Sequence, residues 1–117
     1  MGLGVQWRVS PLRMARAYVE LIRRRDESGI SEILMGLKES AQWGTGSAVG
    51  RVLKRDDVFV KTGTAACTHM PRAPGDGFAI VVIPSNEPQL LLMVRVHGVP
   101  GSRAALTAAE MLRSLGE

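Results

Sequence analysis

Three observations predict an α+β fold with an antiparallel sheet. Apolar residues recur at helical spacing in the first part of the chain and again at its end. Between these stretches the pattern changes to β-branched and aliphatic runs punctuated by Gly and Pro. Two of those runs are separated only by Pro84-Ser85-Asn86-Glu87-Pro88, which makes them a hairpin. The predicted order is α-α-β-β-β-α: three antiparallel strands, two helices before them and one after.

The first helix runs from Ser10 to about Arg25. Ser10 is a good N-cap, Pro11 suits the first helical position, and Leu12, Ala15, Tyr18, Val19 and Ile22 share one face. Arg23, Arg24 and Arg25 close it against the negative end of the helix dipole. This triplet reads as a solvated last turn rather than a nucleic-acid patch. The second helix spans about Ile30 to Ala41, with an apolar stripe of Ile30, Ile33, Leu34, Leu37 and Ala41 and with Ser28 or Ser31 as cap. Gly44-Thr45-Gly46 then breaks it, and the glycine-rich stretch to Gly50 is predicted to be a loop.

Val58 to Thr64 reads as the first strand and Phe78 to Ile83 as the second. The third, Gln89 to Val96, is apolar at successive positions, which predicts that both its faces are covered and places it in the middle of the sheet. Gly98 to Gly101 turn the chain, Ser102 caps a last helix with Ala105, Ala108, Leu112 and Leu115 on one face, and Gly116 ends it.

Composition narrows the function classes. The chain has 117 residues, 45% of them hydrophobic, enough for one thin core that buries about two-thirds of the unfolded surface. Disorder is excluded by that aliphatic content. One Cys and two His rule out an internal disulfide and a four-ligand Cys/His zinc site. No apolar stretch reaches the ~18 residues of a membrane span, and the N-terminus has no apolar signal core. The net charge of +4 divides into +3 up to Val60 and +1 after it, a bias too weak to indicate a nucleic-acid partner.

Nucleotide motifs fail. No G-x-x-x-x-G-K-[ST] occurs, and the dinucleotide pattern begun at Gly44 has Val49 where its third Gly must stand. Cys67-Thr68-His69 is a close Cys/His pair, read as an ordinary loop thiol beside a loop imidazole. His97, at a strand end, reads as structural. The chemically richest stretch is Lys61-Thr62-Gly63-Thr64: an ammonium, two hydroxyls and a backbone without a Cβ in the way, an arrangement suited to an anion.

The motif's surroundings extend the reading. Gly2-Leu3-Gly4 through Val9-Ser10-Pro11-Leu12-Arg13-Met14-Ala15-Arg16-Ala17-Tyr18, then Gly44-Thr45-Gly46, then Val60-Lys61-Thr62-Gly63-Thr64-Ala65, and more loosely Phe78 to Pro84, occur in the order of segments found in penicillin-binding transpeptidases. The chain thus resembles the C-terminal part of such a domain, and the resemblance implies a partial β-lactamase/transpeptidase-like fold over residues 1–117. It implies that Lys61 supports proton transfer near a serine nucleophile, that Thr62 and Thr64 with Gly63 hold a substrate carboxylate, and that the Thr64 N–H is one oxyanion-hole donor. Gly44, Thr45 and Gly46 pack near this strand as support. The implied ligands are the D-Ala-D-Ala stem peptide of peptidoglycan or a β-lactam, with no cofactor and no metal, at the outer face of the cytoplasmic membrane.

The family's S-x-x-K nucleophile motif is missing: none of the eight serines has Lys three residues later, and no S-x-N element occurs. The expectation is therefore an incomplete transpeptidase domain, inactive alone, whose Leu90–Val96 edge pairs with the missing N-terminal part or with a second copy. The alternative is a non-catalytic module that binds a protein partner or the stem peptide through Lys61, Thr62 and Thr64.

Overall fold

The computed structural model of the chain describes residues 10–65 and 75–117. The segment Gly2 to Val9 of the first resemblance, and Cys67 and His69, lie outside the described residues. The described elements are α1 (Pro11–Arg23), α2 (Ile30–Gln42), α3 (Ser47–Leu53), β1 (Phe59–Ala65), β2 (Asp76–Ile83), β3 (Leu90–His97) and α4 (Gly101–Ser114). They form an α+β fold of four helices and one three-stranded antiparallel sheet in the order β1-β2-β3. No described helix is long and apolar enough to cross a membrane.

α1 starts as its sequence dictates, with Pro11 in the first turn and the Ser10 hydroxyl accepting from the Arg13 N–H at 3.2 Å. α2 does not use Ser28 or Ser31 as a cap. Its N-cap is Gly29 at φ 85°, where a side chain would be strained. α3 occupies the stretch expected to be a loop. Ala48, Val49 and Leu53 form its buried side, and a Cβ at Gly50 would collide with the Ala41 carbonyl, so this glycine lets α3 lie tightly against α2. Among the described residues three helices therefore precede the sheet instead of two.

The middle strand is β2, not β3. Of the eight β2 residues only Phe78 falls short of full burial, and Ile80, Val81 and Ile83 are at most 2% exposed. β3 lies at the edge, most of its apolar residues only half-buried. Its unbroken apolar run reflects partial cover on both faces at an edge, a pattern that sequence periodicity cannot tell from central burial.

Two cores flank the sheet. On one face, α3 and α4 pack Val49, Leu53, Ala104, Ala105, Ala108 and Leu112 against Val58, Val60, Ala79, Val81, Ile83 and Val94. On the other, Ile22 of α1 and Leu34 and Leu37 of α2 cover Val82, with Phe59 and Leu91 beside it. Full burial of each Val, Leu or Ile side chain among these contributes about 1.5–3 kcal/mol, and of each Ala less. α4 begins one residue before the expected Ser102 cap. Pro100 is its N-cap and has no side-chain bond to give; Thr64 of β1 takes that part, its Oγ1 accepting from the Gly101 N–H at 3.0 Å.

Candidate functional site

Alternation along β1 divides the Lys-Thr-Gly-Thr motif between the two faces of the sheet. Val60, Thr62 and Thr64 face α3 and α4; Phe59, Lys61 and Gly63 face the side covered by α1 and α2. β1 is an edge strand, and no strand pairs with its outer side among the described residues. The lysine and the two hydroxyls, pointing to opposite faces, converge only across that outer edge.

Each member of the motif has a partner. The Lys61 Nζ donates to the Thr62 carbonyl at 2.8 Å, holding an exposed ammonium down along its own strand. Thr62 is 7% exposed, and its hydroxyl forms a short hydrogen bond with that of Thr45. One of these two hydroxyls donates to the other, so one O–H proton of the pair is left for a further acceptor. Thr64 receives the Gly101 N–H and keeps its own hydroxyl proton to give. Among the described residues no buried side-chain nitrogen or oxygen lacks a hydrogen-bond partner.

The Gly44-Thr45-Gly46 turn thus meets β1. Thr45 is bonded to Thr62, and a Cβ on Gly46 would strike the Val60 side chain, so the turn lies directly on the strand. The close approach at Gly63 has a different occupant from the one anticipated. The outer end of the Phe78 ring lies where a Gly63 Cβ would be, and from the opposite face Gly101 presses on the Gly63 backbone. In this structure the space over Gly63 belongs to Phe78.

A second cluster, which sequence spacing alone does not assemble, lies on the same sheet. In the register of the sheet, Gly63, Phe78 and Arg95 form one row and Ala65, Asp76 and His97 the next, all on the Lys61 face. The Asp76 side chain is 3% exposed and is the common acceptor: Arg95 donates to it through Nε at 3.1 Å and through Nη2, and His97 meets it through Nδ1 at 2.6 Å. The Arg95 bond is the main reason that the Asp76 carboxyl titrates below its ordinary range; burial opposes this, and the His97 bond adds to it. The legible signal was Arg95-x-His97 on a strand, a spacing that puts both side chains on one face. No group of three or more Cys, His, Asp and Glu side chains arranged to hold a metal ion is found among the described residues.

Compared with protein-family models, with curated proteins and with solved structures, the chain finds no match.

Proposed function

We propose that this chain is the C-terminal region of a penicillin-binding transpeptidase domain, that β1 is its substrate-binding strand, and that the chain is inactive by itself. The observation that carries the reading is the junction of two separate motifs: Thr45 of Gly44-Thr45-Gly46 is hydrogen-bonded to Thr62 of Lys61-Thr62-Gly63-Thr64. The position of β1 adds support. An extended peptide beside its outer edge would find main-chain donors and acceptors, the Lys61 ammonium toward one face, and the hydroxyls of Thr62 and Thr64 toward the other. On this reading the Thr64 N–H is the oxyanion donor and Lys61 sets the local positive field. Acylation also needs an activated hydroxyl, and no S-x-x-K serine is present to supply one.

The direct experiment pairs two ligands. A labelled penicillin is expected to leave no covalent adduct on this chain. A D-Ala-D-Ala peptide is expected to bind weakly and reversibly, with binding lost in Lys61→Ala. A covalent penicillin adduct overturns the inactivity, and a peptide affinity indifferent to Lys61 overturns the strand's role.

The second reading, a non-catalytic binding module, is favoured by the hydrogen bonds that already hold the Thr62 and Thr64 hydroxyls within the fold. Undiminished peptide affinity in the isolated chain, compared with a longer chain carrying S-x-x-K, would select it.

The outer edge of β3, Leu90 to Val96, is where we place association with the remainder of such a domain or with a second copy. Light scattering during size exclusion is expected to show a species larger than 12.6 kDa at high concentration. A sharp monomer at every concentration speaks against the self-association.

A further inference from the structure

We infer that the groove at the C-terminal end of α1 is a docking site for an extended peptide of another protein in which apolar residues are interleaved with acidic ones. The groove lies between the last turns of α1 and the start of β3. It has a volume of about 420 Å³, apolar walls that include Val19, Ile22, Val82 and Leu91, and Arg23 and Arg25 at its rim. The inference needs only these groups and does not rest on the transpeptidase reading.

The three arginines that end α1 behave differently. Arg24 is tied to Glu27 through both Nε and Nη2. Arg25 gives one Nη1 proton to the Asn86 carbonyl at 3.1 Å, which fixes its planar fork at the rim and leaves the other donors available. Arg23 has no ion-pair partner among the described residues. Among the described residues no acidic side chain lines the groove, so its rim carries two guanidinium charges that no described lining residue balances.

Shape selects the kind of occupant. The groove is open along one side, so a small molecule would keep much of its surface in water, unlike the enclosure that small-ligand sites give. The apolar walls are recessed between a helix and a sheet, where the flat surface of a bilayer does not reach. A peptide lying along the opening can lower one row of side chains into the groove and keep its other face wet. The track continues beyond the groove, because Leu12, 61% exposed, stands two helical turns before Val19, 41% exposed, on the same face of α1. Charge selects the composition: carboxylates complement Arg23 and Arg25, whereas a second copy of this chain would bring an identical cationic rim against the first.

The experiment uses the full chain and a short fluorescent peptide of alternating Leu and Glu, with the Leu-Lys peptide as its charge-reversed counterpart. The Leu-Glu peptide is expected to bind, and its affinity to fall roughly tenfold in Arg23→Glu and in Val19→Asp. Arg103→Glu, an exposed site on α4, is expected to leave the affinity unchanged. The Leu-Lys peptide is expected to bind only the Arg23→Glu, Arg25→Glu double variant. Val19 is 41% exposed and lies outside both buried clusters, and Arg23→Glu touches no core, so unaltered circular-dichroism melting is expected in both. Absence of Leu-Glu binding, or an equal loss in Arg103→Glu, overturns the proposal. So does capture of the chain by phosphatidylglycerol vesicles, or a dimer, that Val19→Asp and Arg23→Glu abolish, since the groove would then serve a membrane or a second copy.

Discussion

Gly63→Val is expected to unfold the protein or to lower its melting temperature more than any other single change in β1. A Cβ at this position falls on the Cε1 and Cζ atoms of Phe78, and the backbone cannot retreat because Gly101 holds it from the other face. Overpacking of this kind costs about 1–3 kcal/mol, and a domain of this size has only ~5–15 kcal/mol to lose. At about 4 °C per kcal/mol the loss is easily read in a thermal melt. The origin of the effect can be separated by a cycle. Phe78→Leu removes the outer ring atoms, so Gly63→Ala in that background should cost less than in the native chain, with a coupling of roughly 0.5–3 kcal/mol. Gly101→Ala should show no such rescue, because its Cβ would lie 2.6 Å from the Gly63 carbonyl oxygen, a backbone atom that no rotamer moves. If Gly63→Val instead melts like the native chain and loses only peptide binding, the glycine serves the ligand and not the fold.

The contrast between Gly63 and Gly50 shows what was legible in the sequence. Gly63 reads as a backbone open to close approach and Gly50 as part of a loop, and in the fold both meet a close neighbour. What could not be read is which neighbour makes the approach, because that depends on packing across elements far apart in the chain. Gly50 meets the carbonyl of Ala41 and therefore belongs inside α3, although a local reading of glycine density favours a loop. The helical stripes of α2 and α4 are legible because most of their members are buried at a 3.6-residue period, although Ile33 and Leu115 on them stay exposed. Leu12 and Val19 of α1 fit the same period and remain exposed: periodicity identifies an apolar face without saying that this chain covers it. The position of β3 failed for a related reason. Five successive apolar residues, Leu90 to Val94, fit a central strand and a half-covered edge strand equally well, and only the pairing of β2 with both neighbours decides between them.

The hydroxyls of the motif follow the same logic. The sequence supplied an ammonium and two hydroxyls within four residues, but strand alternation sends Lys61 to one face and Thr62 and Thr64 to the other. The fold then uses both hydroxyls internally, Thr62 with Thr45 and Thr64 as the missing cap of α4. On the proposed reading, a ligand at the outer edge of β1 would meet hydroxyls already held by the fold, which would lower the entropy lost on binding.

Asp76→Ala is expected to destabilise the chain more than Arg95→Ala or His97→Ala, because Asp76 is the one member of its cluster that is buried and the one shared by both partners. Removing it takes away the acceptor that Arg95 and His97 share; removing either partner leaves the carboxylate with the other. The pH dependence follows from the direction of the shift. Asp76 titrates below its ordinary value in the folded chain, chiefly because of the Arg95 bond, so the unfolded chain takes up the proton first. The stabilisation is thus fully present above the ordinary carboxyl range near pH 4 and is lost as the pH falls through the lower, folded-state value. The contact with His97 does not reverse this sign, since an ionised carboxylate only accepts and Nδ1 can donate from the neutral ring as well as from the charged one. Urea melts of the native chain and of Asp76→Asn between pH 3 and pH 7 should diverge most at the upper end and converge at the lower. Parallel curves across that range would mean that the carboxylate contributes no charge-dependent stability, and the cluster would then be a packing feature alone.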